Sequence, residues 1–410
     1  MIAQRVEKHI IKKNSPHYSM LLDFCHRSKN LYNHANYIIR EELTKNGKWI
    51  RYNDLDKILK ADKEYPDYAD MPTAASAQQT LRVLDKDWKG YFKSHKDWKK
   101  HPEKYLGEPK FPKFKKKNGY FSVYHTGQQC KIKNGIVRFP KSFNGFTLSS
   151  KIDARDDFIS LQQVRIKPCG FCLKAEIVYR IDVPEQLSDN SKHMGIDIGV
   201  DNLATVVNNL GKKPFVINGK GLKSINQYYN KQIARYRKIA KQMNDRHNTK
   251  RMDRITDRRN RKVDDYMQKA SRIIVNYAKS NDISVIVIGH NDEWKQKSDM
   301  GKIVNQNFTQ LPFNRLIEMI EYKSEEYGIA VVRTEESYTS GTSVIDGEAP
   351  LKQNYNKSRR IFRGLFKTES GVKINADVNG AYQIMKKVFP NEFSDGIVGV
   401  ALHPVIVNAA

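Results

Sequence analysis

An aspartate inside an apolar run is the first place in this 410-residue chain where chemistry is expected. Asp197 stands in GIDIG (195–199), and the flanking glycines and isoleucines predict a central strand. An unpaired carboxylate there is costly unless a cation sits beside it. A second aspartate, Asp377, opens a helical pattern in NADVNGAYQI. An aspartate in that position ordinarily caps a helix; paired with Asp197 it becomes a candidate metal ligand. Carboxylates converging at strand ends hold two Mg²⁺ ions about 4 Å apart across a scissile phosphate. One ion activates the attacking water and the other stabilises the leaving oxygen, so the chemistry open to this pair is phosphodiester hydrolysis.

The elements that must bring the two together read as mixed α/β from residue 190 to 410. HMGIDIG, NLATVVNN and KPFVING are three short apolar segments separated by turn residues. A helical hairpin over 221–282 follows. Its first arm keeps Ile225, Tyr229, Ile233, Tyr236, Ala240 and Met243 on one side, and its second keeps Val263, Met267, Ala270, Ile274 and Tyr277, with Asn244, Asp245 and Asn248 between. Then come a strand at 283–289, a helix using Phe313, Leu316, Ile317 and Ile320, a strand at 329–335, and a last helix from about Ala376. This is the order of an α/β RNase H-like domain.

The N-terminal part has a different character. Residues 1–13 read as a strand, and Ser15-Pro16 as an N-cap with proline at the first helical position. Helical spacing then runs through Tyr18, Leu22, Cys25, Leu31, Tyr32, Ala35 and Ile39, and again from about Ala74 to Phe92. Between Trp88 and Lys117, lysines alternate with aromatic rings. Trp88, Trp98, Lys110, Lys113, Lys115, Lys116 and Lys117 are therefore candidate nucleic-acid contacts, because charge neutralises phosphates and rings stack on unpaired bases; a solvated basic loop closed by prolines is the alternative. Residues 120–183 predict strands, forming a small barrel or sheet that the first strand joins. The expected layout is a β-barrel domain (1–14 and 118–185), a helical nucleic-acid recognition domain (15–117) and the nuclease-like domain (190–410).

The balance of 72 Lys and Arg against 45 Asp and Glu, a formal charge of +27, favours a polyanionic partner. No apolar run reaches the roughly 18 residues of a spanning helix, and the start MIAQRVEKHIIKK has no signal-peptide core. No membrane role is expected, and cytoplasmic, nucleoid-associated localisation is. Four cysteines, at 25, 130, 169 and 172, make no disulfide framework; the lone CxxC at 169–172 is read as structural thiols. Arg251, Arg254, Arg258, Arg261 and Lys262 share one helix face. That stripe suits the backbone of an RNA–DNA duplex, or else a solvated face laced with Asp253, Asp257 and Asp264.

GIDIGVDNLATVV, NQNFTQLPFNRLIEMIEYKSEEYGIAVV, EESYTS, ADVNGAYQI and the closing GVALHPV, in that order, resemble the motifs of TnpB proteins, transposon-encoded relatives of the miniature type V CRISPR effectors. The resemblance runs from about residue 190 to the end and is looser over 1–183. It implies a guide RNA, double-stranded target DNA recognised beside a short flanking motif, two Mg²⁺ ions, a helical recognition part, a wedge-like barrel and one RuvC site that cuts both strands. Asp197 and Asp377 match the family's first and last catalytic aspartates. The family's usual glutamate directly after the fourth strand is absent, since VIVI runs into Gly289-His290-Asn291. A similar subset is thought to draw it from the E-x-Y-T-S segment, which implies Glu336, with Glu335 as second choice and Asp292 and Glu293 as outside candidates. The family's paired CxxC motifs are replaced as well. Ser343 and Asp346 stand at the first pair and no cysteine follows residue 172, so no Cys₄ zinc is expected, and loop 337–374, with Arg359 and Arg360, is instead a candidate nucleic-acid contact. A monomer is expected. Two other readings stay open: a nuclease-dead RNA-guided repressor, and a protein-only recombinase or transposase on the same fold.

Overall fold

The first strand, β1 (Ile2–Ile11), pairs along its whole length with a strand more than 160 residues later, β7 (Cys172–Asp182). Between them lie α1 (Tyr18–Asn46), α2 (Tyr52–Ala61), α3 (Ala74–Lys100), β2 (Val123–Thr126), β3 (Lys131–Lys133), β4 (Ile136–Arg138), β5 (Thr147–Ser149) and β6 (Phe158–Cys169). The computed structural model describes residues 1–244, 247–291, 306, 308–393, 396–397, 399 and 402–409, and the chain divides into two compact units, Met1–Asp182 and Val183–Ala410.

In the first unit the antiparallel sheet runs β1-β7-β6-β2, and β3-β4-β5 form a separate meander. The expected barrel is thus corrected to an open sheet, whose ladder ends at β1 and β2. Helices and sheet share one core: Leu21, Leu31 and Tyr32 of α1 and Leu81 and Leu84 of α3 belong to the same buried cluster as Val123, Ile166 and Leu173 of the sheet. α1 begins at Tyr18 with no side-chain cap, so Ser15 is not the predicted cap. α3 starts on a reciprocal capping box between Thr73 and Ser76 and continues to Lys100, past the predicted end near Phe92.

Trp88 is corrected outright. Its ring is fully buried, its Nε1 donates to Asn36 Oδ1 at 3.0 Å, and Tyr91, Phe92 and Phe111 surround it. It is core and offers no face to a base. Trp88→Ala should lower stability by about 3–5 kcal/mol in urea unfolding, while the salt dependence of nucleic-acid binding by the folded variant stays unchanged.

The second unit contains β8 (His193–Asp197), β9 (Asn202–Asn208), β10 (Phe215–Asn218), α4 (Lys220–Asn244), α5 (Lys250–Ser280), β11 (Val285–Gly289), α6 (Phe313–Glu325), β12 (Ala330–Thr334), β13 (Arg360–Phe362), β14 (Leu365–Lys367), β15 (Lys373–Asn375), α7 (Ala376–Val388) and β16 (Val405–Val407). Its main sheet has the order β12-β11-β8-β9-β10-β16. The pairs β8–β9 and β9–β10 are antiparallel, while β8–β11, β11–β12 and β10–β16 are parallel. Both faces are covered, which is why β11 reads as an unbroken apolar run. Ile286 and Ile288 pack in the cluster with α5 and α6, and Val285 and Val287 in the cluster with α7. The same two-residue period governs β8. Met194 and Ile196 face α5 and α6, so Gly195 and Asp197 face α7. No helix among the described residues is long and apolar enough to cross a membrane.

Candidate active site

Asp197 ends β8 on the face covered by α7, and α7 comes close enough to touch it. A Cβ added to Gly380 would lie 3.1 Å from Asp197 Oδ2. Asp377 lies in the first turn of α7 without capping it. The cap is Asn375, whose Oδ1 accepts from the amides of Asp377 and Val378 at 3.0 and 3.1 Å. The Asp377 carboxylate is therefore left to the site, where Oδ2 accepts from Asn202 Nδ2 at 2.6 Å and Oδ1 from Arg360 Nη2 at 3.2 Å.

The two candidate glutamates diverge. Glu335 is exposed, ion-paired with Lys387 Nζ, and accepts from the Ser337 amide at 2.9 Å. The Lys387 hydrogen bond comes first among the causes that hold its carboxyl down at about 2. Glu336 turns inward beside the end of β11. A Cβ built on Gly289 would fall 2.5 Å from Glu336 Oε1 and 2.8 Å from its Cγ. Glu336 thus fills the space that a side chain at the end of β11 would need. Asn291 steadies this corner by accepting the Glu336 amide at 2.9 Å. Asp292 and Glu293 lie outside the described residues.

Asp197, Glu336 and Asp377 line one cavity of about 480 Å³ together with Asn202, Asn291, Arg360 and Arg363. Burial pushes the Asp197 carboxyl up, and the Asp377 charge adds to it; burial and then Asp197 do the same to Glu336. Glu336 Oε1 is buried without a hydrogen-bond partner. An all-oxygen donor set with an orphaned carboxylate oxygen suits a hard divalent cation such as Mg²⁺.

Residues 176–295 match the OrfB_IS605 family, described as a probable transposase, and residues 313–384 match the Cas12f1-like TNB domain. The CRISPR-associated endodeoxyribonuclease Cas12f2 of Micrarchaeota archaeon (strain CG1_02_47_40) is 29% identical over 208 residues. That match covers 48% of this chain and only 37% of the relative. A cryo-EM structure of a Cas12f1–sgRNA–target DNA complex superimposes with a TM-score of 0.54 at 15% identity, covering 90% of this chain and 82% of that one. Over these segments the chain is similar to TnpB-like proteins and their Cas12f relatives. It shares the fold of the protein in that Cas12f1 complex.

The segment where the resemblance would place a zinc site is closed by hydrogen bonds. Asp346 accepts from the Glu369 amide at 2.9 Å and from Ser370 Oγ at 3.0 Å, while its own amide donates to Ser343 Oγ at 3.2 Å. Burial works against the ionised Asp346, but the donors, Glu369 first, outweigh it and hold the carboxyl below its usual range. A lowered folded pKa contributes stability above the unfolded value of about 3.9, lost as the pH falls through the folded one. Asp346→Ala should therefore cost about 1–3 kcal/mol at neutral pH, with the difference from the parent shrinking below about pH 4. Melting curves of the parent and the variant across that pH range check this.

The basic candidates divide. Lys110, Lys113, Lys116 and Lys117 are exposed, and so are Arg251, Arg254, Arg258, Arg261 and Lys262 on α5. Arg251 lies over Tyr236 at 4.6 Å and Arg261 pairs with Asp257 at 2.8 Å. Trp98 is half-buried against His95. Two further candidates, partly buried, are engaged within the protein. Lys115 packs its ammonium over Tyr32 and Phe121 at 4.3 and 4.9 Å. Arg359 is tied to Glu348 and Glu369 at 2.7 and 3.3 Å. Both are held by the protein's own groups. Sequence reasoning missed Asn202, Asn291 and Arg363. Of these, only Asn202 had a usable signal, as a polar residue opening an otherwise apolar strand.

Proposed function

We propose that this chain is a guide-RNA-dependent DNA endonuclease that cuts double-stranded target DNA beside a short flanking motif, by hydrolysis in a RuvC site. The observation that carries the reading is the Glu336 carboxylate seated against Gly289, which completes the trio with Asp197 and Asp377. These three residues would hold the metal. Two Mg²⁺ ions, when bound there, would supply Lewis acidity at the phosphate and an activated water. Asn202 and Arg360 orient Asp377. The Arg360 guanidinium, with a buried unpaired Nε, supplies positive charge for the phosphate.

The charge of +27 and the similar Cas12f1 complex, whose partners are an sgRNA and target DNA, support guide RNA and DNA as partners. In this reading 1–14 with 118–185 acts as the wedge, 15–117 as the recognition part, and 337–374 stands in place of a zinc finger. The arginines of α5 lie along the heteroduplex backbone. The protein acts as a cytoplasmic, nucleoid-associated monomer.

The test is to express the chain with its native flanking DNA, sequence the RNA that co-purifies, and assay Mg²⁺-dependent cleavage of a matched duplex. One abundant RNA with a constant scaffold and a variable end, together with cleavage, is expected. Absent or random RNA would overturn the guided reading in favour of a protein-only recombinase. Defined RNA without cleavage would mean a repressor.

A further inference from the structure

The hairpin that carries Arg360 into the cavity has an unusual edge. β13 and β14 pair with a register shift between Arg360 and Phe362, and such a bulge breaks the alternation of faces and re-aims side chains, often beside active sites. Its result is visible here. Arg360 is half-buried at Asp377, while the next two residues, Ile361 and Phe362, are both exposed, at 50% and 63%. Arg363 follows and returns to the cavity wall, 3.0 Å from Asp201.

The hairpin beneath is firmly seated. Phe366 of β14 and Ile374 of β15 are fully buried in the cluster beneath α7. The platform is therefore fixed in position, and the exposed ring is not needed to hold it. The surroundings are cationic, with Arg363 exposed beside the ring and Lys367 and Lys373 exposed and paired across β14 and β15. An exposed aromatic face between two arginines that line a carboxylate cavity matches one kind of occupant: an unpaired nucleic-acid strand. Its bases stack on the ring while its phosphates meet the guanidiniums.

We infer that Phe362 is a strand-positioning residue, a platform on which one base of an unpaired DNA strand stacks while Arg363 receives the adjacent phosphate and the backbone enters the cavity. This deepens the endonuclease reading and rests on it. Duplex DNA hides its base faces and is not what the platform takes. In the free protein Asp201 holds Arg363 at the rim, so an entering phosphate exchanges with that carboxylate.

The test uses the full chain with its co-purified RNA and a DNA duplex ending in a short single-stranded tail that carries 2-aminopurine at successive positions. In an Asp197→Ala background, which stops cutting, one tail position should show a stacking signal. Phe362→Ala should abolish that signal and weaken tail binding about tenfold, whereas Phe362→Trp should retain both. In the nuclease-active chain with Asp197 intact, Phe362→Ala should raise KM about tenfold, with kcat little changed. Because the ring is exposed, Phe362→Ala should melt with the parent. An unchanged signal and KM in Phe362→Ala would overturn the inference, as would a changed oligomeric state with no change in the signal, which would make the face a protein contact. A stacking signal combined with a parent chain, Asp197 intact, that never cuts would sink the endonuclease reading and leave the platform standing; cutting by the parent without the signal would do the reverse.

Discussion

Glu336→Gln is expected to lower DNA cleavage by about a thousandfold or more while making the metal-free protein more stable. The loss follows from the place of the side chain. Glutamine keeps the shape but removes the anionic oxygen that lies orphaned at the cavity wall, and several kcal/mol of charge stabilisation at a metal site corresponds to that rate factor. The gain in stability follows from the same burial. Desolvation and Asp197 raise the Glu336 carboxyl, so the folded state binds its proton more tightly than the unfolded chain. Stability is then present at low pH and falls as the pH rises above the ordinary carboxylate range, and Gln removes that slope. Glu335→Gln should do neither, because its carboxylate faces Lys387 at the surface. Cleavage rates with Mg²⁺, and melting temperatures in chelator from pH 5 to 8, check both halves. Equal loss in the two variants would return the glutamate assignment to an open question.

Gly289→Ala is expected to be nearly as damaging to cleavage, by about a hundredfold, although it removes no functional group. The added methyl would meet Glu336 Oε1 and Ile384 Cδ1, each at 2.5 Å. Ile384 is packed in the α7 cluster, so the glutamate is the side that yields. A displacement of about 1 Å in a ligand is enough for a hundredfold loss, and overpacking adds about 1–3 kcal/mol of destabilisation. An alanine variant with parental cleavage would show that Glu336 does not need the space at the end of β11.

Asp197 and Asp377 were legible because each stands in a periodic context, one at the end of an apolar strand and the other at the head of an amphipathic helix. The order of the elements in the second unit was legible for the same reason. That Asp377 does not cap its helix was not legible, because a first-turn aspartate and a cap look alike in a sequence. Only the position of Asn375 Oδ1, which takes over the amides, separates them. Trp88 shows the opposite failure. Lysines interleaved with rings describe a stacking surface and also the buried face of a basic helix, and Asn36, which pairs with the indole, is 52 residues away. The bulge at Arg360 also escaped, since a register shift depends on the partner strand and not on the tripeptide itself.

The hydrogen-bonded closure around Asp346 has a consequence for the conditions this protein tolerates. A thiolate-held segment fails when zinc is scarce or when peroxide oxidises sulfur. Carboxylate, hydroxyl and amide partners respond to neither. Folding of this region asks nothing of a host's metal homeostasis, and oxidative stress has no sulfur there to attack; the insult that loosens it is acid.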